Sequence, residues 1–475
     1  MLATILTTAQ IVYLVAMVAW ILLEKRPPLA TLAWIFGIAA LPLAGFVVYF
    51  FFGYRRIKRN RLKRLRARLG LRQAKEAFAG SGAAQVIAPH RARVRRLMQL
   101  ATQVGESPPS TCRSLRLLQN GRETFDAIEA AVRAAKHHVH LEYYIWEPDE
   151  AGTRMRDLLV ERARAGVEVR VLVDAVGSYR LGRGFFAPLR EAGGHVAWFG
   201  RVTFARFRPR LFNFRTHRKI AICDGMVGYT GGVNITDDED ERVRKGKAFR
   251  DTHLELVGPA VRWLQLVFLE DWHYATGRAP TGAAYFPEVE ENGDRAVQIL
   301  ASGPDHDLEA IKKLYFAAIA SAQERVLVTT PYFVPDEAML EAVATAALRG
   351  VDVRLMVPLR SDSRLVTAAG RSYYDELVAA GVRIYEYTPS MIHAKTLVVD
   401  HAFAAVGSAN MDSRSFRLNF EVAAIAYDER LATELAAAFE RDVEHTRPVR
   451  RDRSARASLP RRLGEAGARL LSPLL

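Results

Sequence analysis

Two long apolar runs open the chain. Residues 1–23 contain no charged side chain, and after the short turn EKRPP a second uncharged run covers residues 29–53. At about 1.5 Å per residue, a helix of either length matches a hydrocarbon layer of about 30 Å. The pattern predicts two transmembrane helices within residues 1–54. A cleaved signal peptide is the alternative for the first run, but that run lacks a basic start and a second apolar run follows it at once.

Past residue 110 the apolar positions follow a different pattern, and this pattern occurs twice. Residues 124–150 and 310–337 each read as an amphipathic helix followed by a β-branched or aromatic strand. Residues 163–174 and 347–358 match in the same way, as a helix end, a glycine turn and a buried strand. Alternating helices and strands indicate βαβ units. We therefore expect an α/β fold with two similar lobes, each a mixed β-sheet flanked by helices.

These patterns divide the chain into five segments. A length of 475 residues suits two similar lobes better than one ordinary core. The predicted segments are two transmembrane helices at 1–54, a basic juxtamembrane linker at 55–110, the first lobe at 111–294, the second lobe at 295–446 and an Arg-rich C-terminal tail at 447–475.

The positive charge of the chain is concentrated in two flanking segments. The formal net charge is +15, and residues 55–68 contain nine Lys or Arg with no acid, while the tail at 447–475 contains eight Arg against two acids. These segments account for the whole excess, whereas an enzyme acting on nucleic acid should carry it around its site. The distribution favours anionic membrane lipids as partners, and not nucleic acid. The basic run after the second apolar run also predicts a multi-pass membrane protein with cytoplasmic lobes.

One set of polar residues recurs with the same spacing in each predicted lobe. The two copies are His217, Lys219, Asp224, Gly232 and Asn234 in the first lobe, and His393, Lys395, Asp400, Ser408 and Asn410 in the second. On a strand, a His and a Lys two residues apart face the same side. Two Lys, two Asn and backbone amides suit a phosphate, and two His supply a nucleophile and a proton donor. Neither copy supplies both histidines, so we expect each lobe to contribute half of one site.

Four acidic residues near the motifs have different expected roles. Asp224 and Asp400 end their strands, where carboxylates brace loops, and we interpret both as structural members of the motif. Glu421 follows the second motif, and Asp251 follows the first after the acidic loop DDEDERVRKGK. Either carboxylate is able to hydrogen-bond a catalytic imidazole and fix its tautomer, and the match is clearer for Glu421.

Two other stretches suggest further chemistry. His138 and His140 share a strand face, but no carboxylate lies at ligand spacing, so core or surface histidines are expected there and no metal site. Residues 201–215, rich in Arg and Phe, have no equivalent in the second lobe. This insert is either a lipid-facing lip or a basic surface loop.

The doubled pattern H-x-K-x4-D-x6-G-(G/S)-x-N resembles the phospholipase D superfamily. The N-terminal apolar pair, FRDTH at 249–253, PYFVPDE at 331–337, RSFRLNFEV at 414–422 and the terminal LLSPLL extend the resemblance to the bacterial cardiolipin synthases of that superfamily. The resemblance covers essentially the whole chain. A hydrolytic phospholipase D and a membrane-tethered nuclease of the same superfamily are the alternatives.

The resemblance implies a two-step transfer between two phosphatidylglycerol molecules. His217 would attack the phosphorus of the first lipid while His393 protonates the leaving glycerol, and a hydroxyl of the second lipid would then take the phosphatidyl group from His217. No cofactor or metal is implied. The residues expected to bind the substrate are Asn234, Asn410, Gly232, Ser408 and Glu421, beside the catalytic lysines. The insert precedes only His217, which favours that histidine as the nucleophile. The acceptor lipid and the oligomeric state stay open.

Overall fold

The computed structural model describes residues 2–24, 28–52, 71, 76, 91–182, 184–200, 214–278, 280, 282–289, 293–305, 308–451, 453 and 458–472. The basic run at 55–68 and residues 201–213 of the insert lie outside these ranges. The N-terminal segment and the remainder of the chain form separate compact units and are treated in turn.

The N-terminal apolar segment forms three helices, α1 (Leu2–Leu23), α2 (Pro28–Ala40) and α3 (Pro42–Phe52). The second predicted helix is divided at Pro42, which lacks the N–H that a continuing helix would use. Ile21, Ile38 and Tyr49 are buried among these helices. Over the described residues, no helix combines the length and the apolar character required to cross a membrane. The predicted transmembrane pair is therefore not confirmed.

The rest of the chain alternates strands and helices. Over the described residues the strands are β1 (Ser110–Cys112), β2 (Ser114–Gln119), β3 (His138–Tyr143), β4 (Glu168–Asp174), β5 (His195–Phe199), β6 (Lys219–Cys223), β7 (Val227–Gly231), β8 (Thr252–Val257), β9 (Arg295–Ser302), β10 (Arg325–Thr329), β11 (Phe333–Val334), β12 (Asp352–Pro358), β13 (Arg383–Tyr387), β14 (Thr396–Val399), β15 (Phe403–Gly407), β16 (Met411–Asp412), β17 (Glu421–Ala426) and β18 (Thr446–Pro448). The helices are α4 (Ala92–Gly105), α5 (Asn120–Ala134), α6 (Glu150–Arg164), α7 (Ala187–Glu191), α8 (Val261–Thr276), α9 (Ala310–Ala320), α10 (Glu337–Leu348), α11 (Arg364–Arg371), α12 (Tyr374–Ala379), α13 (Ser413–Arg417), α14 (Glu429–Val443) and α15 (Leu459–Leu470).

Two large sheets have the same strand order. The first lobe has the order β2-β8-β7-β6-β3-β4-β5, and the second repeats it as β9-β17-β15-β14-β10-β12-β13. In each sheet the last three strands are parallel and the others antiparallel. The prediction of two similar lobes with mixed sheets is confirmed. The repeated order places the two His-x-Lys motifs at the starts of the equivalent strands β6 and β14.

The second sheet is extended at both edges, by one strand from before the first motif and by one strand from after the second motif. Strand β1 pairs with β9, and β18 pairs with β13. Helix α4 lies within the predicted linker, yet it buries Val94, Leu97, Met98 and Ala101 in the core of the second lobe. These apolar positions lie on one face of the helix, and the burial of that face drives the packing. The second lobe is thus completed by chain from before the first lobe.

Candidate functional site

The histidine of the first motif is bonded to the opposite lobe through its backbone. Thr216 pairs with Phe420 in an isolated parallel bridge, and the His217 N–H donates to the Phe420 carbonyl at 2.9 Å. Its ring Nδ1 lies 3.0 Å from Glu421 Oε2 and 2.9 Å from the Ser408 carbonyl. Two acceptors at Nδ1 keep the proton there, so Nε2 retains its lone pair for attack on an electrophile.

The histidine of the second motif repeats this arrangement with the lobes exchanged. Arg250 forms a parallel bridge with Ile392, and the His393 N–H donates to the Arg250 carbonyl at 2.7 Å. Its Nδ1 lies 2.6 Å from Asp251 Oδ2, and the Oε1 atom of Glu239 is 3.2 Å away. Each histidine is therefore oriented by a carboxylate of the other lobe, so the site is completed only when both lobes are present.

The two imidazoles differ in their tendency to hold a proton. Burial lowers the pKa of His217 to about 4, since the opposing effect of Glu421 is smaller than the cost of charging a buried ring. Burial and Lys395 also act to lower the pKa of His393, but Glu239 and Asp251 together outweigh them and raise it above its ordinary value. Near neutral pH His217 is therefore neutral, and His393 holds a proton more readily than His217 does.

The two motif lysines are buried beside their histidines. Lys219 Nζ donates to the His217 carbonyl at 2.7 Å, and Lys395 Nζ donates to that of His393. Burial and, next in size, the charge of Lys395 together lower the pKa of Lys219 to about 7, which shows that both ammonium groups belong to one site. Burial also lowers the pKa of Lys395. An anion entering between them would relieve this repulsion and favour the charged form of both.

The motif asparagines have unequal surroundings. Asn234 accepts from the Ile145 N–H at 3.2 Å and donates through Nδ2 to Glu239 at 3.2 Å. The side-chain oxygen of Asn410 is buried and has no hydrogen-bond partner over the described residues. The side chain of Asn234 thus holds Glu239, whereas that of Asn410 retains an unused acceptor.

The small residues after each motif leave space for the carboxylates. A Cβ atom at Gly232 would lie 2.0 Å from Asp251 Oδ1, so only glycine fits at this position. Ser408 occupies the equivalent place, and its hydroxyl donates to Glu421. From the sequence we expected Gly232 and Ser408 to bind the substrate. In the structure, these two residues contact Asp251 and Glu421, the carboxylates that orient the histidines.

Asp224 and Asp400 lie at the far ends of their strands and brace the neighbouring loops. The Asp224 carboxylate accepts from the backbone N–H groups of residues 136, 137 and 138 at 2.7, 2.8 and 2.9 Å, respectively. The Asp400 carboxylate accepts from those of residues 323, 324 and 325, and it also pairs with Arg93. Burial acts to raise both pKa values, but these donors outweigh it and lower them.

Two residues that sequence reasoning did not single out support the histidines. Arg218 is fully buried, pairs with Asp271 and donates to the Glu421 carbonyl at 3.1 Å, so it links the first motif to the partner carboxylate of His217. Glu239 lies against His393, as described above. Arg218 is the unspecified residue between His217 and Lys219, so a single sequence gives no reason to select it. The acidic loop that contains Glu239 was recognised in the sequence, but its composition does not indicate which of its acids contacts a histidine.

Metal-binding chemistry has limited support in the described part of the chain. Glu239, Asp251 and His393 form the one group there whose potential ligand atoms lie within 4.8 Å of one another. We interpret them as a hydrogen-bonded trio, since the His393 Nδ1 is occupied by Asp251. His138 and His140 are both buried and share Gln265 as a hydrogen-bond partner, so they are core histidines.

Replacing Asp224 or Asp400 with Ala should destabilise the fold. Each change removes one acceptor from three backbone N–H groups, which we expect to lower the free energy of unfolding by about 2–3 kcal/mol. Because both pKa values are depressed, the stabilisation is present above the unfolded pKa and is lost as the pH falls through the folded pKa. Urea unfolding followed by fluorescence measures it, with Asp→Asn as the matched control. Unchanged unfolding midpoints would contradict the bracing role.

Comparisons with known proteins agree with this geometry. The family described as "Cardiolipin synthase, PLD-like domain", where PLD denotes phospholipase D, matches residues 128–242 and 315–443. The family described as "Phospholipase_D-nuclease N-terminal" matches residues 11–53. The solved phosphatidylserine synthase of Haemophilus influenzae Rd KW20 covers 80% of this chain and 100% of its own, with a TM-score of 0.61 and 15% identity, a likeness of fold alone.

Curated relatives extend the likeness along almost the full length. Cardiolipin synthase of Geobacillus sp. (strain WCH70) is 42% identical over 99% of this chain and 93% of its own. Cardiolipin synthase 2 of Bacillus anthracis is 42% identical over 96% of this chain and 88% of its own. With both matched regions and both crossed histidine–carboxylate pairs in place, the chain belongs to the cardiolipin synthase family, the phosphatidyltransferases of the phospholipase D superfamily.

Proposed function

We propose that the chain transfers a phosphatidyl group from one phosphatidylglycerol to another, which yields cardiolipin and glycerol through a phosphohistidine intermediate. The observation that best supports this is the crossed pairing of the histidines, with Glu421 at His217 and Asp251 at His393. It provides one imidazole that is neutral near neutral pH and a second that binds a proton more readily, beside two buried lysines. A phosphodiester exchange through a covalent intermediate requires that combination.

The first step uses the two imidazoles in different protonation states. The Nε2 lone pair of His217 attacks the phosphorus, while the Nδ1–H of the same ring continues to donate its hydrogen bond to Glu421. The bond from phosphorus to the glycerol oxygen breaks, and His393 gives its Nε2 proton to that oxygen. Lys219 and Lys395 stabilise the charge on the phosphoryl oxygens. Glycerol leaves, and the phosphatidyl group remains on His217.

The second step reverses the proton transfer. His393 is now neutral and removes the proton from a hydroxyl of a second phosphatidylglycerol. The new oxygen–phosphorus bond forms as the bond from phosphorus to His217 Nε2 breaks, and both imidazoles return to their starting states. Water in place of the second lipid would give phosphatidic acid, the product of the hydrolytic alternative.

Purified protein supplied with labelled phosphatidylglycerol alone should form cardiolipin and release glycerol in equal amounts. The products are identified by lipid mass spectrometry after a time course in mixed micelles. A protein in which His217 and His393 are both replaced with Asn provides the inactive control. Accumulation of phosphatidic acid without cardiolipin would contradict the transferase proposal and leave a lipase.

The histidine assignment predicts different adducts in two variants. With an activated donor whose leaving group needs no proton, His393→Ala should still form a phosphatidyl adduct on His217, because only the acid is missing. His217→Ala should form none. Acid-quenched intact-protein mass spectrometry reads both results. An adduct on His393 in the His217→Ala protein, with none on His217 in the other variant, would reverse the assignment.

We also propose that the chain acts at an anionic membrane, with residues 1–54 as a helical hairpin and both lobes on the cytoplasmic side. The two uncharged runs at 1–23 and 29–53 and the basic run at 55–68 support this. Helix α15 adds further support, since Leu459, Leu463 and Leu470 lie on one exposed face while Ala468 packs on the second lobe. An exposed leucine face of this kind is typical of helices that lie in a bilayer interface.

A chain lacking residues 1–53 should still bind anionic vesicles. All described strands of both sheets lie after residue 91, so the truncated chain keeps both cores. We expect binding to fall roughly tenfold between low and physiological salt, because screening weakens the attraction of the basic segments. Replacing Leu459, Leu463 and Leu470 with Ser should weaken it further, with Leu348→Ser, at another exposed leucine, as the control. Flotation that ignores lipid charge and salt would contradict the proposal.

A further inference from the structure

One position breaks the equivalence of the two half-sites. Five residues after each motif asparagine, the first lobe has Glu239 and the second has Ser415. The backbone N–H of Asn234 donates to Glu239 Oε1 at 3.4 Å, and that of Asn410 donates to Ser415 Oγ at 3.2 Å. The two side chains therefore occupy the same place in the repeated fold, but only one of them is charged.

The extra carboxylate is buried and incompletely paired. The Glu239 side chain is 1% exposed, and its Oε2 atom has no hydrogen-bond partner over the described residues. A buried carboxylate with an unused oxygen is costly unless a cation lies close to it. The nearest imidazole is that of His393, whose Nδ1 is 3.2 Å from Glu239 Oε1 and 2.6 Å from Asp251 Oδ2.

The carboxylate at the other histidine is more fully used by neutral donors. Glu421 Oε2 accepts from the Ser408 hydroxyl as well as from His217, and Oε1 accepts from Asn419 Nδ2 at 3.1 Å. Its charge is therefore shared among several hydrogen bonds, and among the described residues no second acid lies against His217 as Glu239 lies against His393. Geometry alone gives His393 two negative neighbours and His217 one.

The remaining charged groups around His393 oppose a proton there. Lys395 lies two residues along the chain, and Lys219 lies within electrostatic range of both Asp251 and Glu239. On a third side, the ring of Phe249 lies 5.9 Å from that of His393 and brings no charge. The net effect still raises the pKa of His393, which agrees with the geometry.

We propose that Glu239 is a positioning residue that keeps the Nε2 proton on His393, so that two equivalently placed histidines take different parts in the reaction. The effect of Glu239 on the proton of His393 comes from the arrangement of these side chains and does not depend on the reaction. The use of that proton to protonate the departing glycerol rests on the proposed function. The second lobe, with Ser415 at this position, leaves His217 neutral and able to attack.

Titration of the histidines tests the protonation directly. The full-length protein, labelled with ¹³C at the histidine Cε1 atoms, is titrated by NMR in micelles, and His393→Asn identifies the resonance. In Glu239→Gln the midpoint of His393 should fall by about one pH unit or more, since one of its two adjacent negative charges is removed. Glu239→Asp, which keeps the charge, should restore most of the shift. The midpoint of His217 should stay in place.

The pH dependence of transfer tests the consequence. Activity that needs a protonated His393 is present below its pKa and is lost as the pH rises through it. The alkaline limb of kcat/KM should therefore move to lower pH in Glu239→Gln by the same amount as the NMR midpoint. A shift of one unit corresponds to about tenfold less activity at high pH. The acid limb, set by His217, should not move.

Asp238→Asn provides the matched control. Asp238 is the neighbouring acid of the same loop, its side chain is 46% exposed, and it pairs with Arg244. An unchanged His393 midpoint in Glu239→Gln, or an equal shift in Asp238→Asn, would overturn the proposal. A wild-type protein that makes no cardiolipin from phosphatidylglycerol would refute the proposed function, while the NMR titration would still decide the role of Glu239.

Discussion

The site depends on two backbone hydrogen bonds that cross between the lobes. In each, the N–H of a motif histidine donates to the carbonyl of the residue just before an acid, Phe420 before Glu421 and Arg250 before Asp251. The histidine and the carboxylate are thereby held in fixed register before their side chains meet. The charges, the tautomers and the access of Nε2 all follow from that register. The buried pair of Arg218 and Asp271 adds support at one of the two crossings.

The balance of charge in the site is the second constraint. Two lysines, two histidines and the carboxylates of Glu421 and Asp251 are buried together, and burial acts against the charged form of each. Pairing with the histidines and lysines lowers the pKa of Glu421 and of Asp251 and keeps both ionised. The pKa of Lys219, in contrast, is lowered to about 7, so this lysine loses its proton readily. The site therefore suits an anionic ligand, which supplies the negative charge that the lysines lack. Asn410, with its unused side-chain oxygen, lies among these groups as a neutral member.

Much of the fold could be predicted from periodicity, because the chain repeats it. The helix–strand alternation and the motif spacing indicated two equivalent lobes, and the strand order agrees. The edges could not be predicted in this way. Strand β1 and helix α4 lie in a basic stretch that reads as linker, and their place in the second lobe depends on contacts nearly 200 residues away in sequence. The motif letters identified both histidines and both lysines as a set, and Glu421 and Asp251 as their possible supports. They did not reveal that Glu421 supports the histidine of the first lobe and Asp251 that of the second. Pairing between lobes produces no fixed spacing between the two partners in the sequence.

The exchange of supports makes the single chain comparable to a fused symmetric dimer. In a homodimer with a two-fold axis, every substitution is present in both halves, so both histidines would share one environment. Covalent duplication removes that restriction, because each half then varies independently. Glu239 in one half and Ser415 in the other show the result within an otherwise matched frame. Joining the halves thus allows a division of labour that identical subunits, bound by their own symmetry, are unable to reach.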